Sequence, residues 1–453
     1  MRCSREKVRA KLMAEAEMIV DELLEWNEEV EEPNLGQIED ILLKLRKRLS
    51  ERAAEVILEN QDSAQPAQAP RCPRCGKEMR YKGRKETTVE SRLGTLHLSR
   101  GYYYCSSCKE GFFPLDEQVG LQEKNWSEGV AKWMVWLSGI VSFEMAEEIL
   151  QRIGQVNLSD TSVWRCAQER GKEFQALLEQ ERAQAMALPK GHREALRELT
   201  PKGRMGVAMD GGMIHIRDEG WKELKVGCVF EVEVSPVQDG VTGDVVELGH
   251  AIHNSYVAHL GGPEVFGEKV WAEARRRGWE RAVESEVIGD GASWIWNLAK
   301  EHFYDSHQVV DWYHATEHLA AASRLLHGEG TVAASRWFKT QKTVLFQGHA
   351  LRIAQELLAA AGENHEMAEK LKREAGYFRN NYRRMNYLEM REEGWPIGSG
   401  MVESGIKQFK ARFTGPGMRW SRSGAERLLP IRAAIMSGRF DSVWQQACNS
   451  PRN

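Results

Sequence analysis

Two cysteine pairs constrain this chain more than any other feature: Cys72 with Cys75 and, about 30 residues later, Cys105 with Cys108, each in a C-x2-C arrangement. Four thiolates carried on two hairpin knuckles close a tetrahedral zinc site, and the closure stabilises a module too small to fold on apolar burial alone. Between the pairs, "TTVESRL" and "TLHLSRGYYYC" alternate in polarity as strands do. The spacing predicts a zinc ribbon, with an iron–sulfur site as the alternative. Because protein would supply all four ligands, the Zn2+ would be structural.

The chain holds eight cysteines in 453 residues, but close pairs point to metal in a reducing compartment rather than to disulfides. A net charge of -4 excludes uniform attraction to nucleic acid, so any polyanion site must be a local patch. The longest apolar run, around "WMVWLSGIV", is too short for a membrane span, and no stretch has the order of a signal peptide. A soluble, cytoplasmic chain is expected.

Composition divides the chain as follows. Residues 1–60 carry apolar positions at helical spacing, broken near Pro33 and Asn34, and predict a helical hairpin suited to oligomerisation. Residues 61–70, "QDSAQPAQAP", have linker composition. The ribbon follows over 71–117, and 118–200 reads as helical, with Trp126, Trp133 and Trp136 on a buried stripe. Within it, "SFEMAEEILQRIGQVNLSDTSVWRCAQERGKEF" reads as helix, short Gly-containing turn and second helix. As a helix-turn-helix it would offer Thr161, Ser162, Arg165 and Gln168 to DNA; the other reading is two packed helices with no such role.

Residues 201–313 alternate strand and helix patterns, 314–390 are helical, and 391–453 hold a further helix and a basic tail. The fold class expected is α+β and multidomain, with a mixed sheet flanked by helices. "RMGVAMDGGMIHIR" predicts an apolar strand ending at Asp210, and "ESEVIGDG" a second ending at Asp290, each followed by glycine. Two aspartates at neighbouring strand ends, joined by Glu403 from "GSGMVESGIKQFKARF", could hold a pair of Mg2+ or Mn2+ ions. Two such ions promote phosphodiester cleavage by activating one oxygen and stabilising another. Turn aspartates and a surface glutamate remain the alternative.

The order "MDGG…GWKELKVG…IGDGASWIWNLA…VVDWYHATEHL…IGSGMVESGIKQFKARFTGPGMRWS" resembles bacterial insertion-sequence transposases of the DDE class, the Kra group related to Mutator-like enzymes. The cysteine-rich "CPRCG…GYYYCSSCKEGFFPLDEQVGL" resembles that group's N-terminal region. The resemblance spans roughly Arg71 to Trp444. It implies an RNase H-like catalytic domain with an all-helical insertion and Asp210, Asp290 and Glu403 as the catalytic triad, binding two Mg2+ (or Mn2+) ions. It further implies action on double-stranded DNA, both element ends and target, by a homodimer or higher oligomer. A DNA-binding protein with an inactive RNase H-like scaffold is the alternative, and a nuclease without strand transfer a third.

Asp311 and His314 form a D-x2-H motif that matches the Mutator-like superfamily and belongs to the candidate catalytic set; an N-cap aspartate and a packed histidine are the other reading. "HATEH" also fits an inverted zincin signature through His314, Glu317 and His318. His250, His253 and His259 are expected to be exposed rather than metal-bound. Between Ser404 and Arg439 lie eight Lys/Arg residues and one carboxylate. Lys407, Lys410, Arg412, Arg419 and Arg422 are therefore candidate phosphate contacts, with Trp420 either stacked on an unpaired base or a core anchor. Arg373, Arg379, Arg383 and Arg384 would extend that track.

Overall fold

The computed structural model describes residues 5–66, 68–121, 125–188, 202–238, 245–363 and 367–449. The chain forms two compact units, Met1–Ala167 and Gln168–Asn453.

The first unit opens with the expected hairpin, α1 (Arg5–Glu29) and α2 (Leu35–Glu59). Asn34 and Gln37 form a capping box at the start of α2. Lys44 and Arg48 of α2 pair with Glu22 of α1, which ties the two helices together. β1 (Arg80–Ser91), β2 (Gly94–Cys105) and β3 (Glu110–Phe112) form an antiparallel sheet in that order. Glu51 and Glu55 of α2 accept the backbone N–H groups of Thr95 and His97 on β2. Hairpin and ribbon thus share one unit, and the described residues of 61–70 do not divide two domains: Ala64 is buried.

After α3 (Pro114–Val119) come α4 (Glu128–Ser138), α5 (Phe143–Arg152) and α6 (Asp160–Ala187), which starts in the first unit and ends in the second. Seven residues join α5 to α6, longer than the three or four of a helix-turn-helix. Val156 within that connection is buried. Of the expected tryptophan stripe only Trp126 is buried, while Trp136 is 44% exposed. Residues 189–201, the end of the helical region read from sequence, lie outside the described residues.

The second unit is built on five strands: β4 (Met205–Ile216), β5 (Gly220–Gln238), β6 (Val245–Leu260), β7 (Ser285–Gly289) and β8 (His307–Val310). Their order is β6-β5-β4-β7-β8, antiparallel from β6 to β4 and parallel from β4 to β8. β7 is buried throughout, as a parallel strand covered on both faces must be. Helix α7 (Pro263–Arg276) covers one face, where a Cβ on Gly227 would strike Val270. α8 (Ser293–His302) joins β7 to β8.

From β8 the chain enters an all-helical block, α9 (Trp312–His327), α10 (Val332–Phe346), α11 (Ala350–Glu363), α12 (Ala368–Asn381) and α13 (Tyr387–Glu392). It returns as α14 (Gly400–Phe413), followed by α15 (Arg422–Met436) and α16 (Phe440–Asn449). α14 lies on the opposite face of the sheet from α7. Gly405 permits this close approach, since a Cβ there would lie 2.6 Å from the Tyr256 ring and 3.6 Å from Val226. No helix among the described residues is long and apolar enough to cross a membrane.

Candidate active site and metal centre

Register creates the site. Met209 pairs with Gly289, and Gly289 with Val310, in the parallel part of the sheet. The next residue on each strand is an acid: Asp210, Asp290 and Asp311. Three carboxylates therefore leave neighbouring strands in one row at their C-terminal ends, the position where open α/β sheets bind ligands. Asp210 differs from expectation in one respect. β4 does not end there but runs on to Ile216, because β5 continues the antiparallel ladder through Gly211 and Gly212. Only β7 stops, so Asp210 stands at the end of the parallel ladder. It pairs with Val226, whose face α14 covers, and its carboxylate shares that side.

Glu403 lies in the first turn of α14. Two bonds from the end of β8 and one from within β6 hold the approach to that turn in place. Ser399 N–H donates to Asp311 Oδ2; Trp312 N–H donates to the Ile397 carbonyl at 2.9 Å; and Tyr256 Oη donates to the Met401 carbonyl at 3.2 Å. Ser399 Oγ reaches Glu403 Oε1 at 3.3 Å. Asp290 turns out of β7 through Gly291, which adopts φ +104° and would set a Cβ 2.8 Å from the Tyr377 ring. Asp290 Oδ1 accepts Ala292 N–H at 2.8 Å, and Tyr377 Oη donates to its carbonyl at 3.0 Å. Ser399, Tyr256 and Tyr377 were not foreseen; no local motif marks them.

The electrostatics record the crowding of acids. Burial raises the Asp210 carboxyl to about 6, with Asp290 and Glu403 adding to the rise against the Gly211 N–H and His314. The hydrogen bond that His314 donates to Asp311 raises the imidazole to about 9, and Asp210 and Asp290 support the imidazolium. Asp311 is fully buried, and caps α9 by accepting His314 N–H and Nδ1 on the same oxygen at 2.7 and 3.0 Å. Burial alone would lift its pKa, but those bonds and Ser399 hold it below the usual value. Both Asp311 oxygens accept hydrogen bonds from the protein, which positions His314 and the turn before Glu403.

Ligand atoms of Asp311, His314 and Glu403 lie within 4.8 Å of one another, so this group could bind a metal ion. Metal ligation requires a neutral imidazole, whereas the surrounding carboxylates favour the charged ring. His318, the second histidine of the zincin-like pattern, is bonded through Nδ1 to Glu374 at 2.7 Å and stacks on Tyr377, so it joins no metal group among the described residues. His250 and His253 are exposed on β6, and His259 is half-buried.

In the first unit, Cys72, Cys75, Cys105 and Cys108 converge and could hold a zinc ion. Cys72 and Cys108 sulfurs are 3.9 Å apart and those of Cys75 and Cys105 3.6 Å. Tetrahedral ligation with Zn–S near 2.3 Å sets such separations at about 3.8 Å. The residues fit the metal.

The expected DNA contacts separate into two groups. Arg165, Lys407, Lys410 and Arg419 are exposed. Arg422 is half-exposed and paired with Glu219 and Glu426. Gln168, Arg412 and Trp420, by contrast, are core residues at 6%, 2% and 7% exposure. Gln168 Nε2 donates to the Gly424 carbonyl at 3.4 Å, and Trp420 Nε1 to the Phe413 carbonyl at 2.9 Å, with the Arg412 guanidinium over its ring. These three present no surface to a duplex, which corrects their assignment. In the helical block Arg373, Arg379 and Arg383 are exposed, and Arg384 packs over Trp296.

No protein-family model matches the chain, and comparison with curated proteins likewise gave no match.

Proposed function

We propose that the chain is a metal-dependent DNA transposase of the DDE class, with an RNase H-like second unit. The row formed by Asp210 and Asp290 on neighbouring strands, with Glu403 on the helix tied to the end of β8 through Asp311 and Ser399, carries this reading. His314 is the one cation that acts on these acids, and carboxylate oxygens suit hard divalent ions. Asp210, Asp290 and Glu403 would hold Mg2+ or Mn2+, which supply activation of the attacking oxygen and stabilisation of the leaving oxygen at a phosphodiester. His314, held as imidazolium by Asp311, donates a proton-bearing nitrogen to a phosphate oxygen. Lys407, Lys410 and Arg419 neutralise backbone charge along α14 and the loop after it. The strand order, three antiparallel strands continued by two parallel ones and then a helical block before the glutamate helix, supports the RNase H-like assignment.

The ribbon and α5–α6 are assigned to recognition of the element's terminal repeats, with Arg165 as a contact. Joining two ends requires at least a dimer. We assign that contact to the hairpin, because α1 buries none of its residues and exposes Met13, Met18, Val20 and Leu24. Incubating the protein and Mg2+ with a terminal-repeat duplex tests the reading: nicked and joined products are expected, and Asp290→Ala should bind without nicking. Binding without cleavage by the parent protein would favour the inactive-scaffold alternative; cuts without joined products would favour a nuclease.

A further inference from the structure

The tip of the β4–β5 hairpin carries a feature the assigned site does not use. The turn at residues 217–219 reverses the chain with Asp218 at φ 65° and Gly220 at φ 75°. Arg217 N–H donates to the Trp420 carbonyl at 2.7 Å, and Arg422 engages both carboxylate oxygens of Glu219. The buried Trp420 thus serves as a strut that fixes the turn. On the turn's other side Trp221 is 62% exposed, steadied by an edge-on contact with His215 at 5.6 Å. A cavity of about 470 Å³ opens beside it, bordered by Arg217, Met418 and Arg419, with Asp218 the one acid on its lining.

We infer that this cavity is a binding site for an unpaired base of a DNA strand leaving the catalytic carboxylates, with Trp221 as the stacking surface. An exposed indole sharing one cavity with two exposed arginines combines the aromatic face and the cationic rim that single strands require. Position agrees. Asp210 and Ile216 lie on the same strand, six residues or about 20 Å apart, a span of about six nucleotides of B-form strand. By alternation along β4 and β5, His215 and Trp221 stand on the face away from α14, so the DNA strand reaches them round the edge of β4 left open beyond Met209, where the loop after α14 packs and Trp420 pairs with Ile216. Charge complementarity commits the occupant to nucleic acid.

The inference rests on the DNA-cleaving reading of the site, but binding without added divalent cation tests it separately. Full-length protein is titrated into a labelled blunt duplex, the same duplex with an overhang of about six nucleotides, and a single strand of about 12 nucleotides, a length within known site sizes. The parent should prefer the overhang to the blunt duplex. Trp221→Ala should weaken overhang and single-strand binding roughly 5- to 100-fold while leaving the blunt duplex unchanged, and Trp221→Phe should restore most of the loss. Arg419→Ala should weaken all three. Equal overhang affinity for Trp221→Ala and parent, or no overhang preference in the parent, overturns the inference. If Trp221-dependent binding holds but Mg2+ elicits no cleavage, the enzymatic reading fails and this one stands; if Asp290-dependent cleavage is found with overhang binding indifferent to Trp221, the reverse is true.

Discussion

Asp311 Oδ2 accepts the backbone N–H of Ser399, joining residues 88 positions apart in the buried heart of the second unit. The bond links the end of β8 to the turn that carries Glu403, so a strand-end aspartate fixes a glutamate remote in sequence. Asp311→Ala would leave the buried Ser399 N–H and the half-buried His314 donors without their acceptor. We expect a loss on the order of 2–4 kcal/mol, read from urea unfolding, together with loss of activity. Ser399→Ala keeps the backbone donor and should cost less than about 1 kcal/mol.

Asp210 gives a pH signature. Its carboxyl sits at about 6 in the folded protein against an ordinary value of 3.8. A raised value stabilises the fold where the group is protonated, so the contribution is full below about pH 4 and is lost as pH rises through about 6. For protein free of divalent cations, melting temperature should carry a decline across that window worth on the order of 3 kcal/mol, and Asp210→Asn should remove it. Mn2+ at about 100 times its Kd should add roughly 2.7 kcal/mol at neutral pH to the parent and much less to the variant.

His314 contributes in the same sense as Asp210, over a higher pH window. Raised to about 9 from 6.5, it stabilises the fold fully below about pH 6.5, and that support is lost as pH rises through about 9. NMR of the imidazole in metal-free protein should show its titration near pH 9. Asp311→Asn should move the midpoint down toward the ordinary value.

Trp420 and Trp221 should behave as opposites. Trp420→Ala removes a buried indole packed on Phe413 and Arg412, and a loss of about 3–5 kcal/mol is expected. Trp221→Ala should leave the melting temperature unchanged. Equal destabilisation by the two would contradict the burial described above.

Zinc analysis should return about one ion per chain. Cys75→Ser should abolish it, and amides of β1–β3 should then lose hydrogen-exchange protection. Amides of β4, β5 and β7 should keep theirs.

What the sequence revealed follows from distance along the chain. The cysteine cluster was legible because each knuckle is local, and Asp290 because a short apolar strand runs straight into Asp-Gly. The end of β4 was misplaced because Gly211-Gly212 looks like a turn, while pairing with Lys225 and Leu224 keeps it extended. Arg412 and Trp420 resembled a solvated basic loop; their burial depends on a hairpin some 200 residues upstream. Tyr377 was invisible for the same reason, since its partner Asp290 lies 87 residues away.

The bond between Asp311 and Ser399 has one more consequence. Everything strung between those two positions is a detour whose start and finish are pinned together. Evolution or an engineer could lengthen, trim or replace helices there while the acids stay put, whereas a single-residue insertion within β7 would turn Asp290 to the opposite side of the sheet. Variation in this architecture should accordingly collect in the detour and spare the three short stretches that feed it.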